Sequence, residues 1–343
     1  MTPGWLIIKK RLVSVLACLA FVLMGVNAWA TPFNSLYSFG DSLSDGGNSP
    51  SAVLSIFKLL GGNCDPGHPC PPYVNGHYSN GQVAVEYLAD SILPGGATSA
   101  NFHNFAVSGA TTGIGNFGDG GHAASPGAFG LPGMSQEIGL YLSNSGGLAD
   151  PNALYFVWGG ANDFLTLDSP LGAAQNIAGY VAALASAGAE HIFVPNLPDL
   201  SLTPFVMAGG LGSLAHTFSI GFDTELAMEL GNLSSLFPTT DIIQFDAFSL
   251  LNNMVLNPAA YGFTNTQDAC LSSLLVVCTN PDNYIFWDDF HPTTRAHAVF
   301  ATAFANAVAI PEPGTIALLA AGLFALSAAG RIRISRKLGH ANF

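Results

Sequence analysis

Apolar residues fall along this chain in two rhythms. Short runs rich in β-branched and aromatic residues occur at Ser35 to Phe39, Phe102 to Val107, Leu154 to Trp158, Ile192 to Pro195 and Ile242 to Phe245, and each predicts a strand. Longer stretches carry apolar residues three and four apart. Leu171 to Ala187 is alanine-rich and stops at Gly188. Ser213 to Leu230 places Leu214, Phe218, Phe222 and Leu226 at helical spacing. Thr293 to Val308 follows a proline and sets Ala296, Phe300, Ala303, Phe304 and Ala307 on one side. Strands separated by helices predict an α/β domain, with a parallel sheet of about five strands, right-handed crossovers and helices on both faces. Gly61 to Gly81 and Ile114 to Gly133 read as long loops, which often carry function. Ala124 to Leu131 is too weakly apolar to read as a lid.

The two ends follow another pattern. Lys9-Lys10-Arg11, the apolar run Leu12 to Val26 and Ala28-Trp29-Ala30 form a basic region, an apolar region and a small-residue cleavage site. That order predicts a secretory signal peptide over 1–30, with the mature chain starting at Thr31. An uncleaved anchor is the competing reading, but the run is shorter than the ~20 residues a span needs. At the other end, Pro311-Glu312-Pro313 precedes an apolar run from Thr315 to Gly330, then Arg331, Arg333, Arg336 and Lys337. An apolar segment backed by cations orients in a membrane with its basic end in the cytoplasm. The working domain is therefore expected over 31–310, with a membrane-tethering tail over 311–343.

Charge narrows the partners. Seven of the nine Lys and Arg lie in the two ends, so residues 31–310 keep only Lys58 and Arg295 against 21 acidic residues, a net charge of −19. Such a surface cannot neutralise phosphates, which excludes nucleic acid and disfavours adsorption to anionic lipid. Cys64, Cys70, Cys270 and Cys278 remain after leader removal, an even number in an exported chain, and predict disulfides. The local pairs Cys64–Cys70 and Cys270–Cys278 are expected, each within one Gly/Pro/Asn-flanked loop. A zinc site is the competitor, but neither pair has the tight spacing of common structural sites.

The chemistry concentrates where strands end. Gly40-Asp41-Ser42 follows the first strand, Ser108-Gly109-Ala110 the second, and Gly159 to Asp163 the third. In an open α/β sheet the carboxyl ends of the strands hold the active site. Asp288 and His291, three residues apart before the last helix, can reach the same edge. A serine hydroxyl needs a base, and the base needs an orienting acid. Ser42, His291 and Asp288 fill these roles, and the backbone N–H groups of Ser42 and Gly109 with the Asn162 amide can hold an oxyanion. Neutral His291 is required, so the rate should fall at acid pH.

Phe39-Gly40-Asp41-Ser42-Leu43-Ser44-Asp45 resembles block I of the GDSL family, also called SGNH hydrolases. Asn104 to Ala110 resembles its block II, Gly159-Gly160-Ala161-Asn162-Asp163-Phe164 its block III, and Asp288 with His291 its block V. An Ala separates the Gly pair from Asn162, where many relatives read Gly-Gly-Asn-Asp. Tyr78-Ser79-Asn80-Gly81 and Leu197-Pro198-Asp199-Leu200 resemble segments of the lipase/esterase branch. The similarity spans Asn34 to Phe304. It implies a flavodoxin-like three-layer α/β/α fold and cofactor-free hydrolysis of carboxylic esters, small-molecule or lipid. The tail resembles the PEP-CTERM sorting signal of Gram-negative bacteria. That likeness implies a transient inner-membrane tether, cleavage by an exosortase near Pro311-Glu312-Pro313, and delivery to the periplasm, cell surface or extracellular matrix.

Other readings stand beside these. Ser42 can be a helix N-cap. Asp41 and Asp45 read as turn and capping residues, Asp163 as a structural neighbour, and Asp289 as the rival to Asp288. His297 sits on the last helix, and His68, His77, His103 and His122 are scattered through loops without forming a metal site. Phe39, Trp158 and Phe290 read as core or pocket wall. Two alternative functions are removal of acetyl groups from a polysaccharide and a non-catalytic surface or matrix role.

Overall fold

Five parallel strands lie in the order β2-β1-β3-β4-β5, where β1 is Ser35–Gly40, β2 Phe102–Asn104, β3 Ala153–Trp158, β4 His191–Pro195 and β5 Asp241–Phe245. The computed structural model describes residues 33–51, 64 and 67–308, all within one compact unit spanning 31–308. The expected leader, the expected tail helix and Lys58 lie outside the described residues. β3 is central and buried along its whole length, which explains its unbroken apolar sequence ALYFVW. β1 and β3 pair from Ser35–Ala153 to Gly40–Trp158, so the residues after both strands emerge side by side.

Alternation along the strands builds two cores. Tyr37, Phe39, Tyr155, Val157, Ile192 and Val194 face helices α2 (Met134–Asn144), α4 (Pro170–Ser186) and α6 (Gly212–Leu236). Leu36, Leu154, Phe156, Trp158 and Phe193 face α1 (Ala84–Ile92), α7 (Ala247–Leu256) and α9 (Thr294–Val308). Period-two burial against period-3.6 helices gives the three-layer α/β/α arrangement. On the second face Phe304 meets Phe156, Trp158, Phe193, Phe245 and Phe300 within 6 Å between ring centroids. α3 (Ala161–Leu165), α5 (Pro204–Ala208) and α8 (Pro258–Tyr261) are short connectors.

The chain runs from β1 out to β2, then returns to β3 on the other side of β1. The direction of winding reverses there, which opens a crevice at the carboxyl ends of β1 and β3. The second strand stops at Asn104, short of the expected Val107. Beyond it the Phe105 and Val107 N–H groups still donate to Ser38 O (2.8 Å) and Gly40 O (3.1 Å), so the chain follows β1 to the crevice. A separate two-stranded parallel sheet, β6 (Asn265–Ala269) with β7 (Tyr284–Phe286), is absent from the periodicity reading because β6 is polar and does not alternate. It adjoins a satellite cluster of Tyr73, Cys270, Leu271 and Trp287. Both local disulfides, Cys64–Cys70 and Cys270–Cys278, are formed. Among the described residues no helix is long and apolar enough to cross a membrane.

Candidate active site

β1 ends at Gly40, where a Cβ would lie 2.1 Å from the carbonyl oxygen of Trp158 on β3, so the close approach of the two strands requires glycine. The chain then turns. Asp41 O accepts the N–H groups of Ser44 and Asp45 (both 3.0 Å), and Asp41 Oδ1 accepts Leu43 N–H (3.0 Å). This turn presents Ser42 at the crevice, and Asp41 is the turn residue expected. Burial pushes the Asp41 carboxyl up to about 6. Asp45 accepts from Gly47 N (2.7 Å) and from Ser108 N (2.8 Å), tying the serine loop to the Gly109 loop.

Gly109 has φ 77°, and a Cβ there would fall 2.3 Å from Asn116 Oδ1. Asn116 holds this loop by donating to Ser108 O (2.9 Å) and Pro132 O (3.0 Å). Asn162 sits in the first turn of α3 and donates one amide N–H to Ala110 O (3.0 Å). Its neighbour Asp163 accepts from Thr112 N (2.9 Å) and Thr112 Oγ1 (2.7 Å), so it is structural, as expected. Burial raises the Asp163 carboxyl to about 7. Among the described residues the backbone N–H groups of Ser42 and Gly109 meet no acceptor.

Asp288 and His291 lie between β7 and α9. His291 Nε2 is 2.9 Å from Ser42 Oγ, and His291 Nδ1 is 2.8 Å from Asp288 Oδ2. Asp288 Oδ1 also accepts the backbone N–H groups of Phe290 and His291 (both 2.8 Å). Burial alone would raise the Asp288 carboxyl; the adjacent His291 and these donors reverse that and hold it at about 2. Asp289, the rival acid, is exposed and contributes its backbone oxygen to Phe205 N–H (3.0 Å).

Two residues that the sequence reading missed, Tyr73 and Glu137, belong to this neighbourhood, and two loop histidines are placed differently than expected. The Tyr73 hydroxyl donates to Asp288 Oδ2 (2.8 Å). His68, expected to be one of several scattered loop histidines, packs 4.3 Å from Tyr78 and edge-on to His291 at 6.2 Å between centroids. His103 is in β2 rather than a loop. Glu137, fully buried on α2, accepts Gly40 N–H (2.8 Å) and Val107 N–H (3.2 Å), the residues two before Ser42 and two before Gly109. Burial, supplemented by the charges of Asp41 and Asp45, pushes Glu137 well above the usual carboxylate range. A sequence signal for Glu137 existed: Met134, Glu137, Ile138 and Tyr141 share one helical face, so an acid stands on an apolar stripe. Tyr73 lies in an irregular loop and had no such signal.

Ser42, Gly109, Asn162 and His291 border one cavity of about 490 Å³. Phe164, Leu165, Leu200, Val206, Trp158 and Phe290 supply much of its apolar wall. Trp158 and Phe290 are thus pocket wall, whereas Phe39 is core. His297 is buried in α9, and burial pushes it down to about 3.

A GDSL esterase/lipase of Arabidopsis thaliana is 27% identical over 84% of this chain and 94% of its own length. Acetylajmalan esterase 2 of Rauvolfia serpentina is 29% identical over 78% of this chain and 88% of its own. A solved member of the lipolytic G-D-S-L family from Veillonella parvula aligns over 80% of this chain and 97% of its own, with 14% identity and a TM-score of 0.42. The PEP-CTERM protein-sorting motif matches residues 309–334. The family model of the GDSL-like lipase/acylhydrolases matches residues 36–304, so the chain belongs to that family and is a carboxylic ester hydrolase.

Proposed function

We propose that the chain is an exported serine esterase or lipase that works through an acyl-enzyme on Ser42. As Ser42 Oγ attacks the acyl carbon, His291 Nε2 takes the hydroxyl proton and then passes it to the departing alkoxide. Asp288 fixes the imidazole and offsets the positive charge it gains. The oxyanion is held by the N–H groups of Ser42 and Gly109 and by the amide of Asn162. Water then enters, gives its proton to His291 and releases the acid, and Ser42 recovers its proton. The supporting observation is the Asp288–His291–Ser42 relay, with steps of 2.8 and 2.9 Å. Apolar cavity walls favour an acyl chain over an acetylated sugar as the group facing the serine.

Processing completes the proposal. Residues 1–30 direct export and are removed, and an exosortase-type enzyme cuts near Pro311-Glu312-Pro313 after the tail has served as an inner-membrane tether. The product resides in the periplasm, at the cell surface or in the matrix of a Gram-negative bacterium. The deciding experiment is Ser42→Ala with p-nitrophenyl butyrate. Turnover should fall about 10⁴-fold or more, and labelling by a fluorophosphonate should disappear. Undiminished turnover in that variant overturns the assignment.

A further inference from the structure

The satellite sheet carries an unusual surface feature. Between Cys270 and Cys278 the chain makes a closed tip, Leu271-Ser272-Ser273-Leu274-Leu275-Val276-Val277. Its base is fixed: Leu271 N–H donates to Trp287 O (2.6 Å) and Cys278 N–H to Cys270 O (2.8 Å). Its end is greasy and open to solvent, with Leu274 84% and Val276 64% exposed. Four consecutive exposed aliphatic residues, held by a disulfide and a turn, bury little in the domain. No charged residue occurs from Ala269 to Asn280.

Backbone conformation sharpens the point. Leu275 has φ 59°. A left-handed turn position favours glycine or asparagine, yet an exposed leucine stands there. Among the described residues only two others besides glycine have positive φ, Asn75 and Leu167. Leu167 is also exposed, and it follows Phe164 and Leu165 on the cavity wall. Both strained leucines therefore lie on segments bordering the active-site region and point apolar surface at water.

The tip is continuous with the site. Leu275 borders a cleft of about 210 Å³ with Gly67, His68, Asp289 and Phe290. Gly67, His68 and Phe290 also border the active cavity. Phe290 in turn packs 4.4 Å from the part-exposed Phe205.

We propose that the tip 271–278 docks this enzyme on the surface of an aggregated, uncharged acyl ester. The inference rests on the serine-esterase reading above and names the physical state of its substrate. An aliphatic tip without charges inserts into an apolar phase and gains nothing from an aqueous one. A domain with 21 acidic residues and two cations is repelled by anionic surfaces, so the surface is uncharged. Once docked, the tip holds the rim formed by Phe290 and Phe205 near the lipid, and an ester leaves that phase beside the cavity mouth.

Tributyrin, measured below and above its solubility limit, tests this with one ester chemistry. The tested variant is Leu274→Ser/Val276→Ser in the full chain; neither residue lines either cavity. The control is Leu148→Ser/Leu236→Ser, two exposed leucines preceding β3 and β5, at the sheet edge opposite the active site. Both pairs leave the C-terminal tail intact, so its contribution is common to all three proteins. The parent and control should show a steep rise in rate once droplets form. The tip variant should keep the dissolved-ester rate within about twofold and lose about tenfold or more on droplets, since each buried aliphatic side chain accounts for roughly a tenfold change. Flotation with tributyrin droplets in a Ser42→Ala background reads docking apart from chemistry, so a failure of the serine mechanism stays distinguishable. An unchanged droplet rate in the tip variant overturns the proposal. Equal losses in tip and control variants, or a parent dimer that the tip variant converts to monomer, overturn it as well.

Discussion

The two halves of the active site are held by different physics. Ser42, Gly109 and Asn162 follow the main sheet, where buried side chains lock the loops to one another: Glu137 on Gly40 and Val107, Asp45 on Ser108, Asp163 on Thr112. Asp288 and His291 follow the three-residue β7, beside a cluster of Tyr73, Cys270, Leu271 and Trp287. A cluster that small cannot match the two sheet cores, and covalent bonds compensate: Cys70 and Cys278 both pack against it. The nucleophile half is positioned by buried polar groups that each need a partner; the acid–base half is anchored on one side by Ile285 and Phe286 of β7 in the second core and on the other by the minor cluster that the disulfides border. Damage to the first should therefore appear as misplaced chemistry, and damage to the second as local loosening.

Glu137→Ala should break the comparison most strongly. It removes the carboxylate acceptor of Gly40 N–H, leaves Val107 N–H with only its bond to Gly40 O, and opens a void beneath both oxyanion loops. A displacement of about 1 Å at a reacting centre can cost about 100-fold, and kcat for p-nitrophenyl butyrate should drop by about that factor with KM little changed. An unchanged kcat in folded Glu137→Ala would remove Glu137 from any positioning role. Cys270→Ser/Cys278→Ser should act on the other half. A disulfide is worth about 2–4 kcal/mol, and the loss should be local: faster amide exchange over 284–291, with the main-sheet amides unaffected. Activity should fall about tenfold, because Asp288 and His291 then sample unproductive positions. Uniformly faster exchange across the domain would mean that the satellite is not a separate unit.

This difference also governs what the sequence discloses. β1, β3 and β4 are legible because burial on both faces demands apolar residues, and β5, a partly exposed edge strand, through the β-branched pair Ile242-Ile243; Ser42 and Asn162 are legible because each follows a buried strand, and Gly109 because it follows the apolar run that continues β2. The three helices read from periodicity fall within a turn or two of their observed bounds, whereas α1, α2 and α7 pass unread although each has a buried apolar face. Glu137 is hidden with α2: without the helix, nothing marks the acid as buried. β6 is illegible for a different reason. Its sequence NTQDA has no apolar alternation, and its pairing with β7 brings together segments from either side of a disulfide loop. Tyr73 reaches Asp288 across 215 positions from an irregular loop, a contact that local pattern cannot encode.

Tyr73→Phe tests the link between the halves of the chain at smaller amplitude. It removes one of several donors to Asp288 while keeping the ring against Trp287. Hydrogen bonds to charged groups contribute about 1.5–3 kcal/mol, but the His291 and Phe290 donors remain, so kcat should fall only about fivefold to tenfold. A loss as large as that of Glu137→Ala would make the acid–base half the more fragile one.

The smallest effect is the pH dependence of stability. Burial raises Asp163 to about 7 and Asp223 to about 8 in the folded domain. For such groups the folded state holds more protons than the unfolded state, so stability is fully present below the unfolded carboxylate range and is lost as pH rises through the folded values. His297 has the opposite sign: held at about 3, it favours the fold above the ordinary histidine range and stops doing so as pH falls. Asp288, held at about 2, matters only below the ordinary carboxylate range. Above about pH 6.5 the raised carboxyls act together with His77, which burial would lower but its hydrogen bond and ion pair with Glu86 raise, and all lose stabilisation as pH climbs, so Tm should decline between about pH 6.5 and 8.5. Asp223→Asn keeps an oxygen for the Leu197 N–H and removes a titrating group, and should flatten the decline. A slope that Asp223→Asn leaves intact would place the pH sensitivity in Asp163, Glu137 and His77, of which the first two stand under the nucleophile half, where stability and catalysis are set by the same buried acids.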